Sequence, residues 1–538
     1  MLLAGFVLRL VYFYQIKDAF LFDRPFLDAG FYQRWAIEVA SGDWAGAQRG
    51  VFAMSPGYAY FLACIYTVFG IHIGAAVFIQ LLLGLGCGWM IFLVGRKHLS
   101  WEAGLFGAAL YLFYSPELFF ESSLLKASLI NAVNTGALLA ASTASPAGWA
   151  LSGILVGYSA HLRPSALLLV PLIALWLRLR PPRGVLATLL FAGGLLAALL
   201  PVAARNYLVG GEWVWTTTHG GMNLYSAYNP ENRGPYEALR FARTDPAYEQ
   251  DDFLQEARRR SGRQDLTSAQ ASRFWYGEAW RFIRDQPVRA ASLMAKKALI
   301  FFNGYETPIN MDYYRYRTEY GSVLSLPLVT FTLLLPLALV GVARAAPNLL
   351  LLGYLAVIFA SNVVFLGAAE YRFPAVPVLC AYGGWAMHRI VQDIRERSPG
   401  KLALSGAGLL ILVGLVSFDV YGTLLGMPDF KRDVAAKSLY NSAVEYQAAG
   451  RDDQAIALYT ESARLHPADA ETQNNLGVVL ARRGRLEEAI THFESALPGL
   501  PQASRNLHHA RDVLDRRRQS ETHSQPPRPA AALPPEGK

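Results

Sequence analysis

Cysteine and charge are both scarce in this sequence. Its 538 residues include three cysteines, Cys64, Cys87 and Cys380, which lie far apart in apolar stretches. That spacing implies neither a cysteine-based metal cluster nor a disulfide framework. Charged residues make up 17% of the chain and hydrophobic residues 53%, a composition well away from that of ordinary soluble proteins. We therefore expect a membrane protein.

Several features that would define other classes of protein are also missing. We find no glycine-rich loop of the kind that cradles phosphates, so a nucleotide-binding domain is not expected. The apolar run that starts at Met1 has neither a basic leader nor a small-residue cleavage pattern, so we do not interpret it as a cleaved signal peptide. The net charge is +8, but many cations fall in short loops at the ends of apolar segments, where the positive-inside rule puts them. Nucleic-acid binding is not expected.

Eleven apolar segments are interpreted as membrane spans, the shorter ones being extended to the interface by flanking aromatic and arginine side chains. The sequence therefore predicts an all-α polytopic membrane protein. The spans cover residues 2–14, 73–94, 103–114, 124–141, 147–160, 165–177, 185–204, 323–343, 349–368, 373–388 and 402–418.

Basic residues in the short loops give the orientation. They all fall on one side if residues 56–70 form an interfacial helix that does not cross, and the positive-inside rule makes that side cytoplasmic. The first external loop (17–70), the large external loop (207–320) and everything after Tyr421 then face the outside of the cell inner (cytoplasmic) membrane. The residues used are Arg96, Lys97, Arg178, Arg180, Arg183, Arg344, Arg389, Arg395, Arg397 and Lys401.

The C-terminal region repeats with a period of 34 residues, which is that of tetratricopeptide (TPR) repeats. Small residues allow the paired helices of each unit to approach closely, and a proline ends each unit. We predict two TPR repeats plus a capping helix (Ser504–Arg518) over residues 431–518, followed by a disordered polar and proline-rich tail at 519–538. The pairs 34 residues apart are Asn441 and Asn475, Gly450 and Gly484, Ala455 and Ala489, Tyr459 and Phe493, and Pro467 and Pro501.

The first external loop carries an ordered set of acidic and aromatic residues. Asp28 follows the first span, Tyr32 comes four residues later, Ser41-Gly42-Asp43-Trp44 follows, and Pro56-Gly57-Tyr58 begins the interfacial helix. This order resembles the GT-C superfamily of glycosyltransferases that use polyprenyl-phosphate sugars, which includes protein O-mannosyltransferases and the lipid A aminoarabinose transferase. The chain departs from relatives at Ala29, where many have Glu, and at Ser55, where a basic residue or His is frequent. The resemblance covers residues 1–426 and implies a GT-C-type helical bundle.

The resemblance implies the chemistry. The donor would be a polyprenyl-phosphate sugar, with no tightly bound cofactor, and the reaction needs a base that takes the proton of an acceptor hydroxyl. Asp28 is the expected base, which implies inversion at the sugar carbon. The competing interpretation is a solvated aspartate that caps a helix at residues 29–40. Whether a divalent cation assists is left open.

A second acidic residue is expected in the loop at residues 115–121, where Glu121 is the better candidate for a second catalytic acid. Lys126 stands close to it, and the alternative is that Glu121 and Lys126 pair only with each other, since a lysine inside a membrane helix is costly when unpaired.

A lipid phosphate leaving group needs cations on the outer face. Arg163 and Arg372 fall there between spans, against the positive-inside trend, and we assign both to donor phosphate together with Lys126. The competing interpretation is interfacial anchoring, with Arg372 neutralised by Glu370.

The large external loop extends the resemblance through Gly220-Gly221-Met222-Asn223-Leu224-Tyr225 and Asn229-Pro230. Asn and aromatic side chains are common in sugar sites, so Asn223, Tyr225 and Asn229 are expected in an acceptor pocket. Tyr32, Asp43, Tyr58 and Glu370 complete the expected substrate-binding set.

The sequence thus predicts a membrane glycosyltransferase that acts outside the inner membrane. Its expected partners are membrane lipids, the lipid-linked donor, and a protein, lipid or glycan acceptor in the cell envelope. The TPR repeats suggest a protein partner. Two alternatives remain open: an O-antigen-ligase-like or polymerase-like enzyme, and a TPR membrane scaffold of an envelope assembly that has no catalytic activity.

Overall fold

The computed structural model describes residues 1–180, 182–232, 234, 239, 241–243, 246–319 and 323–523. Every regular element in these residues is helical, and the chain divides into two compact units, Met1–Pro428 and Asp429–Lys538. The all-α class predicted from the sequence is therefore confirmed.

The α-helices of the first unit are α1 (Leu2–Ile16), α2 (Leu27–Ala40), α3 (Gly57–Phe69), α4 (Ile73–His98), α5 (Trp101–Leu112), α6 (Ser115–Glu121), α7 (Ala127–Ala141), α8 (Pro146–Leu162), α9 (Leu169–Arg178), α10 (Gly184–Gly210), α11 (Gly220–Ala227), α12 (Pro246–Ser261), α13 (Ser268–Asp285), α14 (Pro287–Phe302), α15 (Tyr313–Glu319), α16 (Phe331–Arg344), α17 (Leu349–Val364), α18 (Ala369–Arg372), α19 (Val376–Arg395) and α20 (Pro399–Ser417). Those of the second unit are α21 (Phe430–Ala448), α22 (Asp452–Leu465), α23 (Ala470–Arg482), α24 (Leu486–Ala496) and α25 (Ala503–His523).

Each predicted span overlaps an apolar helix. In the part of the chain that the structure describes, three helices, α4, α10 and α20, are long and apolar enough to cross a membrane, and six further apolar helices of 10 to 17 residues accompany them. The largest boundary difference is the predicted span 323–343, since α16 begins only at Phe331. The count of eleven spans stays a prediction.

Glycines allow a close helix crossing in the bundle. Helices α8 and α10 approach so tightly that a side chain at Gly153 would overlap the carbonyl oxygen of Phe191, and one at Gly194 would overlap that of Ala150. In lipid, the hydrophobic effect gives little driving force for helices to associate. Close backbone approach of this kind provides van der Waals packing instead.

At one end of the bundle, hydrogen bonds around His98, at the C-terminus of α4, connect several helices. Its Nε2 lies 2.7 Å from Ser142 Oγ after α7, and Asn348 Nδ2 before α17 lies 3.1 Å from its Nδ1. Arg180 after α9 donates to the carbonyl of Ser142 at 3.2 Å. Several of the basic residues predicted to be cytoplasmic lie at this end. The start of α7 and the end of α17 therefore lie at the opposite end.

The large external loop has its own core, built by α11, α12, α13 and α14. Trp275 is fully buried at its centre, with the ring of Phe241 stacked 5.5 Å away and the ring of Tyr225 at 4.5 Å. Its indole nitrogen donates to the carbonyl of Phe253 at 3.1 Å. The loop is thus a folded layer that can hold side chains in fixed positions.

The second unit shows the predicted repeats, α21 with α22 and α23 with α24. Ala455 and Ala489 are fully buried, and a side chain at Gly477 would overlap the ring of Phe493. Helix α25 packs on α24 through Leu507 and therefore caps the pair. It continues to His523, five residues beyond the predicted boundary at 518; the remainder of the predicted disordered tail, 524–538, lies outside the described residues.

Adjacent glycines of α10 give a matched test of the tight crossing. Gly194→Ala should lower the melting temperature in detergent, because the added methyl overlaps a backbone atom and overpacking costs about 1–3 kcal/mol. Gly193→Ala is the control: nothing lies within 4 Å of a Cβ there, and alanine favours a helix over glycine by roughly 0.5–1 kcal/mol. Equal melting temperatures for the two variants would contradict the crossing.

Candidate functional site

The candidate site is at the end of the bundle opposite His98, and Asp28 is its first component. Asp28 lies in the first turn of α2, whose N-cap position is Phe26, so it does not occupy the capping position. Leu27, directly before it, has a φ of 51°, a left-handed conformation that costs a non-glycine residue of order 1–3 kcal/mol. Strained backbone of this kind is frequent at functional sites.

Asn310 joins Asp28 to a second carboxylate. Its Nδ2 donates to Asp28 Oδ2 at 3.2 Å and to Glu370 Oε2 at 3.3 Å. Asp28 comes from the first external loop, Asn310 from the large external loop and Glu370 from α18. Three segments far apart in sequence therefore meet at one amide group.

Arg163 holds Glu370 in place. It follows α8 and donates from NH2 to Glu370 Oε1 and from NH1 to the Glu370 carbonyl, both at 3.1 Å. Its guanidinium also lies 4.2 Å above the ring of Tyr371. The arginine predicted to bind donor phosphate thus forms an ion pair with a residue predicted to bind substrate.

Lys126 lies on the same side of the bundle, just before α7. Its Nζ donates to the hydroxyl of Tyr32 at 3.0 Å. Tyr32 packs edge-on against Tyr58 at 5.4 Å, and Tyr58 donates to Gln80 Oε1 at 2.6 Å. Both tyrosines are fully buried, so they orient Lys126 and support α2.

The large external loop adds His219 and Glu249, which the sequence did not single out. Helix α12 packs on α2, and Glu249 lies in its first turn. His219 Nε2, just before α11, lies 3.7 Å from Glu249 Oε2. The loop therefore brings a further carboxyl group and an imidazole towards Asp28.

Burial governs the charge of these groups. It raises the pKa of the Asp28 carboxyl, while nearby Lys126 partly offsets the effect by favouring the charged form. It also raises the pKa of Glu249 to about 7, with Asp28 and Asp252 adding like-charge repulsion. Burial and nearby Lys126 lower the pKa of His219 to about 4. The imidazole is therefore neutral near pH 7.

A narrow, mostly apolar cleft adjoins the charged groups. Asn310 and Glu370 line one side of it, and the other walls include Phe119, Phe120 and Leu125. A second narrow cleft shares Met311 with the first and lies along the connection between α1 and α2. The site thus combines a charged rim with apolar space.

Glu121 is not brought to Asp28. It is fully buried and forms an ion pair with Arg9, with its Oε2 2.8 Å from Arg9 Nε and its Oε1 2.8 Å from NH2. The alternative pairing of Glu121 with Lys126 is not observed either, since Lys126 bonds Tyr32. The side chain joins α1 to α6, which is a structural position.

Arg372 is bound by partners other than Asp28 and Glu370. It pairs with Glu306 at 2.9 Å, rather than with Glu370 as the competing interpretation had it. It also donates to the backbone carbonyls of Asn303 and Tyr305 and lies 3.7 Å from the centre of the Phe331 ring. These contacts fix the start of the segment that carries Asn310.

The remaining predicted site residues lie in structural contacts or beside the site. Asp43 Oδ1 accepts the backbone N–H of Ala47 at 2.9 Å and shapes a turn. The Tyr225 hydroxyl accepts from Arg260 at 2.8 Å, and the Asn229 side chain bonds four backbone groups. Asn223 is one helical turn after His219.

Asn310, Glu249 and His219 are functional candidates that sequence reasoning missed. Each is a single polar residue in a long loop without periodicity, so only the folded loop reveals them. Among the described residues, no three His, Cys, Asp or Glu side chains converge in a way that could hold a metal ion.

Comparisons with known proteins identify the second unit and give distant likenesses for the rest. Residues 440–504 match the family model described as tetratricopeptide repeat, which confirms the predicted repeats. No curated protein matches the sequence.

The solved structures that are similar to the chain include an oligosaccharyltransferase and an ArnT. The Archaeoglobus fulgidus oligosaccharyltransferase AglB, solved with an inhibitory peptide and a dolichol-phosphate, is 11% identical with a TM-score of 0.37, over 84% of this chain and 59% of AglB. ArnT from Cupriavidus metallidurans, bound to undecaprenyl phosphate, is 16% identical with a TM-score of 0.31, over 72% of this chain and 77% of ArnT. The chain thus spans under two thirds of AglB.

The Arg9–Glu121 pair gives a test that separates structure from catalysis. Glu121→Gln should lower stability by about 3–5 kcal/mol, because breaking a buried ion pair leaves one charge uncompensated. Activity per folded molecule should stay unchanged. The double variant Arg9→Met with Glu121→Leu should melt above Glu121→Gln, since apolar side chains often replace a buried pair well. A Glu121→Gln protein with normal melting and lost turnover would restore Glu121 as a catalytic acid.

Proposed function

We propose that this protein is a membrane glycosyltransferase that moves a sugar from a polyprenyl-phosphate carrier to an acceptor of the cell envelope. The observation that carries the proposal is the convergence of the Asp28 carboxyl, Asn310 and the Arg163–Glu370 pair beside an apolar cleft. A base, cations and apolar space are what transfer from a lipid phosphate requires.

Asp28 acts as the general base in this proposal. The acceptor hydroxyl loses its proton to Asp28 while its oxygen bonds the anomeric carbon, and the bond from that carbon to the phosphate oxygen breaks. The lipid phosphate leaves with the electron pair, and the sugar carbon inverts. General-base catalysis contributes about 10²–10⁴-fold to such a step.

Lys126 is the best placed cation for the departing phosphate. Its described hydrogen bond is to the hydroxyl of Tyr32, which leaves its charge available to an anion. Arg163 is already bonded to Glu370 by two contacts, so we assign it mainly to positioning that carboxylate. Arg372 has no part in the proposed step. The cleft lined by Phe119, Phe120 and Leu125 would receive the lipid chain near the phosphate.

The reaction is proposed to occur on the external side of the inner membrane. The site and the cluster around His98 lie at opposite ends of the bundle, and several of the basic residues are at the His98 end. The positive-inside rule puts such residues in the cytoplasm. The donor and acceptor would therefore meet outside.

Asp28→Asn tests the base. The change keeps the shape of the side chain and removes its proton affinity, so turnover should fall by about 10²–10⁴-fold. Asp43→Asn is the matched control, because Asp43 is in the same loop and an amide oxygen can still accept from Ala47. Sugar transfer would be measured on purified, folded enzyme with a lipid-linked donor. An Asp28→Asn protein that keeps more than about a tenth of wild-type turnover would contradict the role.

The TPR unit is proposed to recruit an acceptor or a protein partner. TPR repeats stack helix pairs into surfaces that commonly bind other chains, and this unit forms a compact body separate from the first. All the groups assigned to the chemical step belong to the first unit.

Removal of residues 431–538 should therefore leave transfer to a small soluble acceptor nearly intact and impair modification of the natural acceptor. Both activities would be compared with those of the full chain after melting curves have shown that the truncated enzyme is folded. Loss of both activities in a folded truncated enzyme would place the repeats in the catalytic architecture instead.

A further inference from the structure

The large external loop contacts Asp28 at one point and packs on its helix, α2, at another. Asn310 is in the segment between α14 and α15, and its amide lies 3.2 Å from Asp28 Oδ2. Glu249 is in α12, which packs directly on α2. Neither residue has a role in the step proposed above.

The Asn310 segment is held firmly. Arg372 donates to the carbonyls of Asn303 and Tyr305 and pairs with Glu306. The backbone N–H of Ala369 donates to the carbonyl of Thr307 at 3.1 Å. The amide of Asn310 is consequently placed from both the loop and α18, the helix that supplies Glu370.

Glu249 is held by a different part of the loop. His219, which precedes α11, lies 3.7 Å from its carboxylate, and only 22% of the Glu249 side chain is exposed. Two carboxyl groups near one another in a partly buried place cannot both ionise at low cost. The environment therefore gives the two carboxyl groups different roles: Asp28 is charged, while its neighbour Glu249 keeps a proton.

We propose that Asn310 and Glu249 complete the Asp28 centre as its hydrogen-bond donor and its neutral carboxyl partner. Asn310 stabilises the ionised form of Asp28, which is the form that accepts a proton. Glu249 allows the loop to pack against that carboxylate only while it carries a proton itself. Ionised Glu249 would add a further negative charge where an anionic donor has to bind. This inference rests on the proposed function.

Other ionisable groups surround Asp28 and Glu249 and contribute to the electrostatic balance between them. Around Asp28 they are Lys126, Arg163 and Glu370, with the phenols of Tyr32 and Tyr371. Around Glu249 they are Asp28 from α2, Asp252 from its own helix and His219.

The two residues should act on opposite limbs of the pH profile. Asp28 must be ionised, so activity falls as the pH drops through its raised pKa. Asn310 favours the ionised form, so its loss should move this acidic limb to higher pH. Glu249 must be protonated, and its pKa is raised to about 7 chiefly by burial, with Asp28 contributing. Donor binding should therefore weaken as the pH rises through about 7.

The experiment measures kcat and the donor KM from about pH 5 to about pH 9 with a lipid-linked sugar donor and a small acceptor. In the unmodified enzyme the donor KM should rise above about pH 7. Glu249→Gln keeps a neutral side chain at every pH, so the rise should disappear while the rate below pH 7 stays within about threefold of wild type. Asn310→Leu should shift the acidic limb to higher pH and leave the alkaline behaviour unchanged. Asp251→Asn, an exposed carboxylate of the same helix, should match the wild type.

Each result bears on the inference separately from the proposed function. An alkaline rise in donor KM that persists in Glu249→Gln, or is absent from the unmodified enzyme, overturns the role of Glu249. An unchanged acidic limb in Asn310→Leu overturns the role of Asn310. Both conclusions require that Asp28→Asn is inactive. An active Asp28→Asn would instead refute the base, and with it the proposed function. Glu249→Asp retains an acid and should retain the rise, which a purely structural role would not predict.

Discussion

Charge compensation at one end of the bundle is the constraint on which the site depends. Asp28, Glu370 and Glu249 lie in a partly buried region with Lys126 and Arg163, and isolated buried charges are costly. Arg163 neutralises Glu370 directly, and the Asn310 amide separates Glu370 from Asp28. The remaining excess of negative charge is reduced because Glu249 binds a proton readily. Lys126, Arg163 and Asn310 each favour the ionised form of Asp28 in this region.

The part of the site that was predictable lies at the ends of apolar segments. Asp28, Lys126, Arg163 and Glu370 each stand where a span meets an external loop, so topology alone puts them on one side of the membrane. Residue type could not distinguish them from Glu121 and Arg372, which have similar positions in sequence. Glu121 pairs with Arg9 and Arg372 pairs with Glu306, and the local sequence pattern does not predict these partners. Asn310, Glu249 and His219 were missed for the same reason, because their contacts join segments that are distant in sequence.

The fold was predictable to the extent that it is periodic. Apolar runs located the bundle helices, and the 34-residue repeat located the TPR unit, because both patterns follow from how helices bury one face. Boundaries were less certain where no periodicity exists. Residues 323–330, for example, are apolar but not helical. Val329 pairs through backbone hydrogen bonds with Phe113 and Ser115, where α5 connects to α6, and α16 starts only at Phe331.

The Arg9–Glu121 pair has a consequence for biosynthesis. Its two members are 112 residues apart, so α1 leaves the ribosome long before its counter-ion does. An arginine near the centre of a membrane helix costs about 2.5–3.5 kcal/mol on insertion scales, and that cost persists until α6 has been made. Helix α1 would thus remain a poorly anchored segment, dependent on the insertion machinery, while α4 and α5 are synthesised. The first six helices are therefore expected to mature as one group and not one after another.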